Sequence, residues 1–170
     1  SKYGLSPYIG PSFTNSEIEN LLKSFRINFI KPKKIEKDIA YEISKKNIVG
    51  VFNGRGEFGQ RSLGNRSILA DPRNPLSKIK LNTKIKKRDW FMPFAPAILD
   101  NKFELFFNTK NPSLYMQKAE KIKQIYKKKI PSAVHLDNTC RVQNVDKNIS
   151  PKFWKIINEF YKLTNLPMVL

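Results

Sequence analysis

The sequence predicts an α/β (α+β) domain. Amphipathic helical spacing recurs near both ends of the chain. Short apolar runs bounded by Gly, Pro and Asp lie between the helical stretches, so strands alternate with helices. A length of 170 residues with 40% hydrophobic content suits one well-cored domain over residues 1–170. Strand order does not follow from this pattern.

Residues 1–13 hold Gly4, Pro7, Gly10 and Pro11 without periodicity and read as an irregular entry segment. Ser16, with Glu19 three positions on, reads as a capping box. Ile18, Leu21, Leu22 and Phe25 follow at helical spacing. Residues 27–30 read as a short extended stretch. A second helix carries Ile35, Ile39, Ala40 and Ile43 and ends near Lys45, Lys46 and Asn47, where positive charge suits the helix dipole. Residues 48–52 read as a buried strand, and residues 67–70 as a short one stopped by Asp71 and Pro72. Residues 75–85 carry Ile79 and Leu81 among lysines and read as a helix.

Pro93 and Pro96 exclude helix and central strand from residues 86–96. There Trp90, Phe91 and Phe94 read mostly as core, with a stacking platform for a base as the alternative. Residues 102–107 read as a short helix, and residues 108–131 match no single pattern. Residues 133–136 and 141–145 read as two strands around Asp137, Asn138 and Thr139, with Arg141 and Gln143 on one face. Ser150 as N-cap, Pro151 at N1, and Phe153, Ile156, Ile157, Phe160 and Leu163 make the clearest helix. Residues 167–170 begin an apolar strand.

One stretch departs from the composition of the rest. Five of the 7 Gly fall between Gly50 and Gly64. The chain holds 25 Lys and only 7 Arg, yet Arg55, Arg61 and Arg66 fall here, with Arg73 and Arg88 soon after. Arg offers a planar fork suited to phosphate and carboxylate, whereas Lys offers a flexible point charge. A Gly/Arg loop after an apolar strand is therefore a candidate oxyanion or phosphate site, with a solvated structural loop as the alternative. Gly54, Gly56 and Gly59 match the spacing of the dinucleotide fingerprint. That motif must open a helix and lead to an acidic residue about 20 positions on, and neither follows here. No Gly-Lys-Ser/Thr occurs, which excludes the Walker loop.

The formal charge of +18 predicts attraction to polyanions, including non-specific binding. The densest lysine run, residues 121–129, reads as a solvated face. A single His135 argues against a His-rich metal site, and no metal is assigned. A single Cys140 excludes an internal disulfide and fits a reducing cytoplasm. No apolar run reaches the length of a membrane span.

Three segments together resemble one family: residues 53–73 (NGRGEFGQRSLGNRSILADPR), residues 82–96, and residues 135–143 (HLDNTCRVQ). They are similar to the carboxyl-terminal half of the O-carbamoyltransferases of the nodulation and tobramycin type. Tyr8 to Pro11 and residues 166–170 also fit. The resemblance implies a YrdC-like domain with a twisted mixed β-sheet flanked by helices. It implies binding of carbamoyl phosphate and of ATP with Mg2+, and formation of carbamoyl adenylate. It implies an amino-terminal domain, outside residues 1–170, that holds iron and transfers the carbamoyl group to a hydroxyl of a small acceptor such as a sugar. The chain is then a piece of a longer two-domain protein. By itself it is expected to bind nucleotide or phosphate weakly and to transfer nothing.

Carried over, the resemblance marks Arg61, Lys86 and Arg141 as ligand-binding cations. It adds Gly59, Gly64, Asn65, Arg66 and Arg88 as further binding residues. Four positions depart from the family pattern: Gly56 replaces Met, Gln60 replaces Pro, Asn138 replaces Gly, and Met92 replaces a basic Arg. An Asn-Thr-Ser segment that completes the family site is expected just beyond Leu170. The alternatives are a basic nucleic-acid-binding module and a relic that lost its chemistry with Met92.

Overall fold

Thr14 caps the first helix, α1 (Asn15–Ser24), in a computed structural model that describes residues 6–170. The part of the entry segment holding Gly4 lies outside the described residues. The capping box sits two residues earlier than the sequence predicts. The Thr14 amide donates to Glu17 Oε2 at 2.7 Å, and the Glu17 amide donates to Thr14 Oγ1 at 3.2 Å. Glu19, freed from that role, pairs with Lys23 at 2.8 Å and with Lys31. No residue of α1 is buried. An apolar groove of about 750 Å³ separates it from the strand that follows α2.

Helix α2 (Ile35–Ser44) buries Ala40 and Ile43. Lys45 is its C-cap and Lys46 follows at φ +69°, so the positive charge lies just past the last turn rather than in it. Strands β1 (Val49–Phe52) and β2 (Arg66–Leu69) pair antiparallel, Val49 opposite Leu69 and Phe52 opposite Arg66. The sequence predicts β1 as buried. It is half-buried, with Phe52 61% exposed: Val49 and Val51 pack against the core, while Gly50 and Phe52 turn away from it.

Residues 53–65, the Gly/Arg stretch, are the long connection of this hairpin, and no helix begins within them. The entry segment runs alongside. Gly10 donates to the Gly56 carbonyl at 2.9 Å, Gly56 to Pro11 at 2.8 Å and Phe58 to Pro7 at 2.8 Å. A Cβ at Gly10 would lie 2.9 Å from the Gly56 Cα, so backbone meets backbone only because the side chain is absent.

Asn74 caps α3 (Pro75–Lys80) by accepting from the Leu76 amide. The helix widens into a π-helical turn at Leu81–Lys86 and stops at Lys87, φ +48°. Then follow β3 (Ala97–Leu99), α4 (Phe103–Phe106), β4 (Glu120–Lys121), α5 (Gln124–Lys127), β5 (Thr139–Cys140), β6 (Gln143–Val145), α6 (Pro151–Thr164) and β7 (Met168–Val169). A mixed three-stranded sheet has the order β6-β3-β7, with β3 parallel to β6 and antiparallel to β7. Ala70 and Leu170 exchange backbone hydrogen bonds at 2.9 and 3.3 Å, which ties the end of β2 to the end of β7. The unassigned stretch 108–131 contributes β4, which pairs with β5, and the short α5.

Residues 133–136 form no strand. The His135 amide donates to the Thr139 carbonyl at 2.8 Å, and Asn138 closes the turn at φ +64°. Asp137 accepts from the Thr139 amide at 3.0 Å. The turn takes up the His135 amide and carbonyl, which a strand would have paired.

Helix α6 buries Phe153, Ile156, Ile157 and Phe160, at roughly 1.5–3 kcal/mol per side chain. Leu163, predicted on the same face, is 55% exposed, because the core ends a turn earlier. Ser150 is the N-cap residue, but its hydroxyl donates to the Tyr8 phenol oxygen at 3.0 Å instead of capping. Asp71, 1% exposed, is held by a forked contact from Arg73, whose Nη2 lies 2.6 Å from Oδ2. Among the described residues no helix is long and apolar enough to cross a membrane.

Candidate functional site

The Gly/Arg stretch is folded around an acid that the sequence reading passed over. Glu57 accepts from the amides of Leu63 at 2.8 Å, Asn65 at 2.7 Å and Arg66 at 3.3 Å. Those are the N–H groups a Gly-rich loop would otherwise offer to an outside anion. The signal was available: one carboxylate inside a stretch of turn residues has donors on every side.

Arg55 of the loop and Arg66, the first residue of β2, are also engaged internally. Arg66 donates to the carbonyls of Asn53 and Gly54 and lies 3.6 Å from the centre of the Phe52 ring. Arg55 donates to the Ile9 carbonyl at 3.0 Å. Asn65 donates to the Arg55 carbonyl at 2.9 Å, and Gly59 is exposed. Arg66, Asn65 and Gly59, which the resemblance marks, therefore lie outside the cleft that takes the others.

That cleft has a volume of about 420 Å³. The loop contributes Arg61 and Gly64, the last residue of the π-helical turn is Lys86 and the segment after it contributes Arg88, and the third matched segment contributes His135, Arg141 and Gln143. Residues far apart in sequence converge because β6 runs beside β3 and the π-helical turn ends at Lys86. Gly64 stands at φ +108°, and Phe153 of α6 closes over it.

Asn82, fully buried, sets the course of the second matched segment. It donates to the carbonyls of Trp90 at 3.0 Å and Met92 at 2.8 Å, and accepts from Arg88 Nε at 2.7 Å. The Arg88 guanidinium lies 4.5 Å from the Phe94 ring centre. With the backbone pinned inward, Trp90 and Phe91 face solvent at 61% and 55% exposure and meet edge to face. The core reading therefore fails for these two and holds for Phe94, which packs partly buried against the core.

His135 Nδ1 lies 3.0 Å from Thr139 Oγ1, and that hydroxyl donates to Asp137 at 2.8 Å. The hydroxyl has one proton, so Nδ1 carries the proton of the neutral ring and Nε2 is the free acceptor. Burial holds the His135 pKa below its usual value; Asp137 opposes this and Arg141 adds to it. A histidine of depressed pKa takes up its proton more readily unfolded than folded. Its stabilising contribution is whole above about pH 6.5 and falls as pH drops from there toward the folded value. Thermal melts from pH 8 to pH 5 are expected to show a decline below that point which shrinks in His135→Gln. Parallel profiles for the two proteins would count against it.

The cleft lining gathers four cations, Arg61, Lys86, Arg88 and Arg141, and includes no Asp or Glu. Among the described residues no three His, Cys, Asp or Glu side chains stand close enough to hold a metal ion. The fold is an α+β domain, and its carboxylate-free cationic cleft has the chemistry that suits an anion. The particular family follows from comparison: the chain belongs to the carbamoyltransferase C-terminus family, whose model matches residues 40–170.

An uncharacterized protein of Methanocaldococcus jannaschii is 37% identical over 171 residues, 96% of this chain and 28% of that protein. Nodulation protein NolO of Bradyrhizobium diazoefficiens is 33% identical over 169 residues, 96% of this chain and 31% of its own length. A nodulation protein U of Rhizobium fredii is 34% identical over 164 residues, 96% of this chain and 27% of its own. The chain spans less than a third of the length of these relatives.

Proposed function

We propose that this chain supplies the donor site of an O-carbamoyltransferase. The cleft takes carbamoyl phosphate and ATP and forms carbamoyl adenylate for transfer to a hydroxyl acceptor bound elsewhere in the longer protein. The observation that carries the reading is the charge balance of the cleft: four cations facing no carboxylate. Carbamoyl phosphate, ATP and water give carbamoyl adenylate, phosphate and pyrophosphate. All these species are rich in anionic oxygen, and the reaction needs them held close with their mutual repulsion cancelled.

Arg61 and Arg141 offer planar forks to phosphate oxygens. Lys86 adds a point charge, and Arg88 is fixed in place by Asn82 and Phe94. The exposed pair Trp90 and Phe91, beside the lining residue Met92, offers faces on which adenine can stack. Met92 leaves that wall without the basic side chain usual in the family, so the load falls on the other four cations. No carboxylate lines the cleft to ligate Mg2+, so the residues present do not fit a side-chain-held ion.

The test is calorimetric titration with carbamoyl phosphate and with ATP. Saturable binding is expected, and Arg61→Lys, which keeps the charge and loses the fork, weakens it by about 1–3 kcal/mol. Lys128→Ala, in the exposed lysine run, leaves it unchanged. Equal affinities for wild type and Arg61→Lys contradict the assignment. A nucleic-acid module predicts a different signature: affinity for an oligonucleotide that collapses steeply with salt while the small anions do not bind.

A further inference from the structure

Gln143 is 2% exposed and lines the cationic cleft. Its Nε2 donates to the Leu63 carbonyl at 3.1 Å. A carbonyl can only accept, so this bond fixes which end of the amide is which. The Oε1 is then left as a buried acceptor with no hydrogen-bond partner. A buried polar atom without a partner calls for an explanation, since its desolvation is not repaid. The side chain that carries it lines a cleft in which Arg61, Lys86, Arg88 and Arg141 are suited to phosphate oxygens.

An acceptor in such a place gains little from the anionic part of an acyl phosphate, whose phosphoryl oxygens are almost fully deprotonated at neutral pH and would repel it. It selects a neutral N–H donor attached to the anion. We propose that Gln143 Oε1 accepts a hydrogen bond from the carbamoyl NH2 and so distinguishes a carbamoyl donor from an acyl phosphate of the same shape. This rests on the donor-site reading above. Acetyl phosphate is the discriminating probe: it replaces the NH2 by a methyl group of nearly equal size and leaves the phosphate intact. With the methyl group the Oε1 stays unpaired, so the loss is that of a buried polar group left without its partner.

The same N–H chemistry could come from the 6-amino group of adenine, so inosine triphosphate against ATP forms a second arm. Titrations would compare carbamoyl phosphate, acetyl phosphate, inorganic phosphate, ATP and inosine triphosphate. Wild type is expected to prefer carbamoyl over acetyl phosphate by roughly tenfold, the worth of one neutral hydrogen bond. Gln143→Met fills similar volume without an acceptor and is expected to bring that ratio near one, with inorganic phosphate binding retained. The Leu63 carbonyl keeps a donor in this variant, the Tyr8 phenol at 3.0 Å.

If wild type binds inorganic phosphate but holds carbamoyl and acetyl phosphate equally, the inference is overturned and the donor-site reading stands. If Gln143→Met shifts the ATP to inosine triphosphate ratio instead, the acceptor serves adenine and the inference is again overturned. If none of the phosphates binds to wild type, the donor-site reading fails and takes this one with it. Should Gln143→Met not fold, the wild-type ratio alone still decides between equal and unequal binding.

Discussion

Gly64→Ala is expected to lower the melting temperature by about 6–12 °C, the equivalent of about 3 kcal/mol in a chain of this size. Two costs combine. A Cβ there would lie 2.2 Å from Phe153 Cδ1 and 2.5 Å from Cγ, well inside contact distance. The backbone stands at φ +108°, a region open to glycine and strained for alanine. Phe153 cannot easily retreat, because it is 2% exposed and anchors the first turn of α6. It also lines the cleft, so any displacement that spares stability should appear as weaker phosphate binding. Gly50→Ala is the control: nothing lies within 4 Å of a Cβ there, and its φ is ordinary. Equal melting temperatures for Gly64→Ala and wild type would mean that Phe153 does not pack as described.

Arg73→Ala is expected to destabilise by about 3 kcal/mol through a different cause. Asp71 is 1% exposed and receives Arg73 Nε on both oxygens and Nη2 on one. Removing the guanidinium leaves a carboxylate buried with only the residue-73 amide beside it. Arg73 itself is 37% exposed at the side chain, which lets water reach the site and keeps the loss toward the lower end of the range for buried pairs. Asp71→Asn combined with Arg73→Ala removes the stranded charge and should recover part of the loss. Chemical denaturation of the single and double variants measures that coupling, and strictly additive losses would contradict the buried-pair account.

Much of the fold was legible where one local rule acted alone. The apolar positions of α6 repeat at helical spacing and meet the core as that spacing demands, as far as Phe160. Pro93 and Pro96 kept regular structure out of the segment before β3. Errors fell where two local rules competed. Thr14 and Ser16 both precede a carboxylate by three, and only the backbone conformation of Thr14 turns its hydroxyl onto the helix. Residues 133–136 are apolar enough for a strand, but the turn closing on Thr139 and Asn138 takes the amide and carbonyl of His135.

The sequence by itself determined the family of this protein: its arginines cluster near its glycines, and three segments are specific enough to place it in one family. It named Arg61, Lys86, Arg88 and Arg141 by residue type and motif. The tertiary structure alone decided which arginines are free to face a ligand. Arg66 lies close to Arg61 in sequence, yet its fork is filled by carbonyls 12 and 13 residues earlier and its face by Phe52. Likewise the loop amides are taken by Glu57, and Gln143 Oε1 is left without a partner. The physical reason is common to all of these. A side chain's donors and acceptors are set by its covalent structure and can be read from a letter. Whether they are already satisfied depends on groups brought near by folding, which no local pattern encodes.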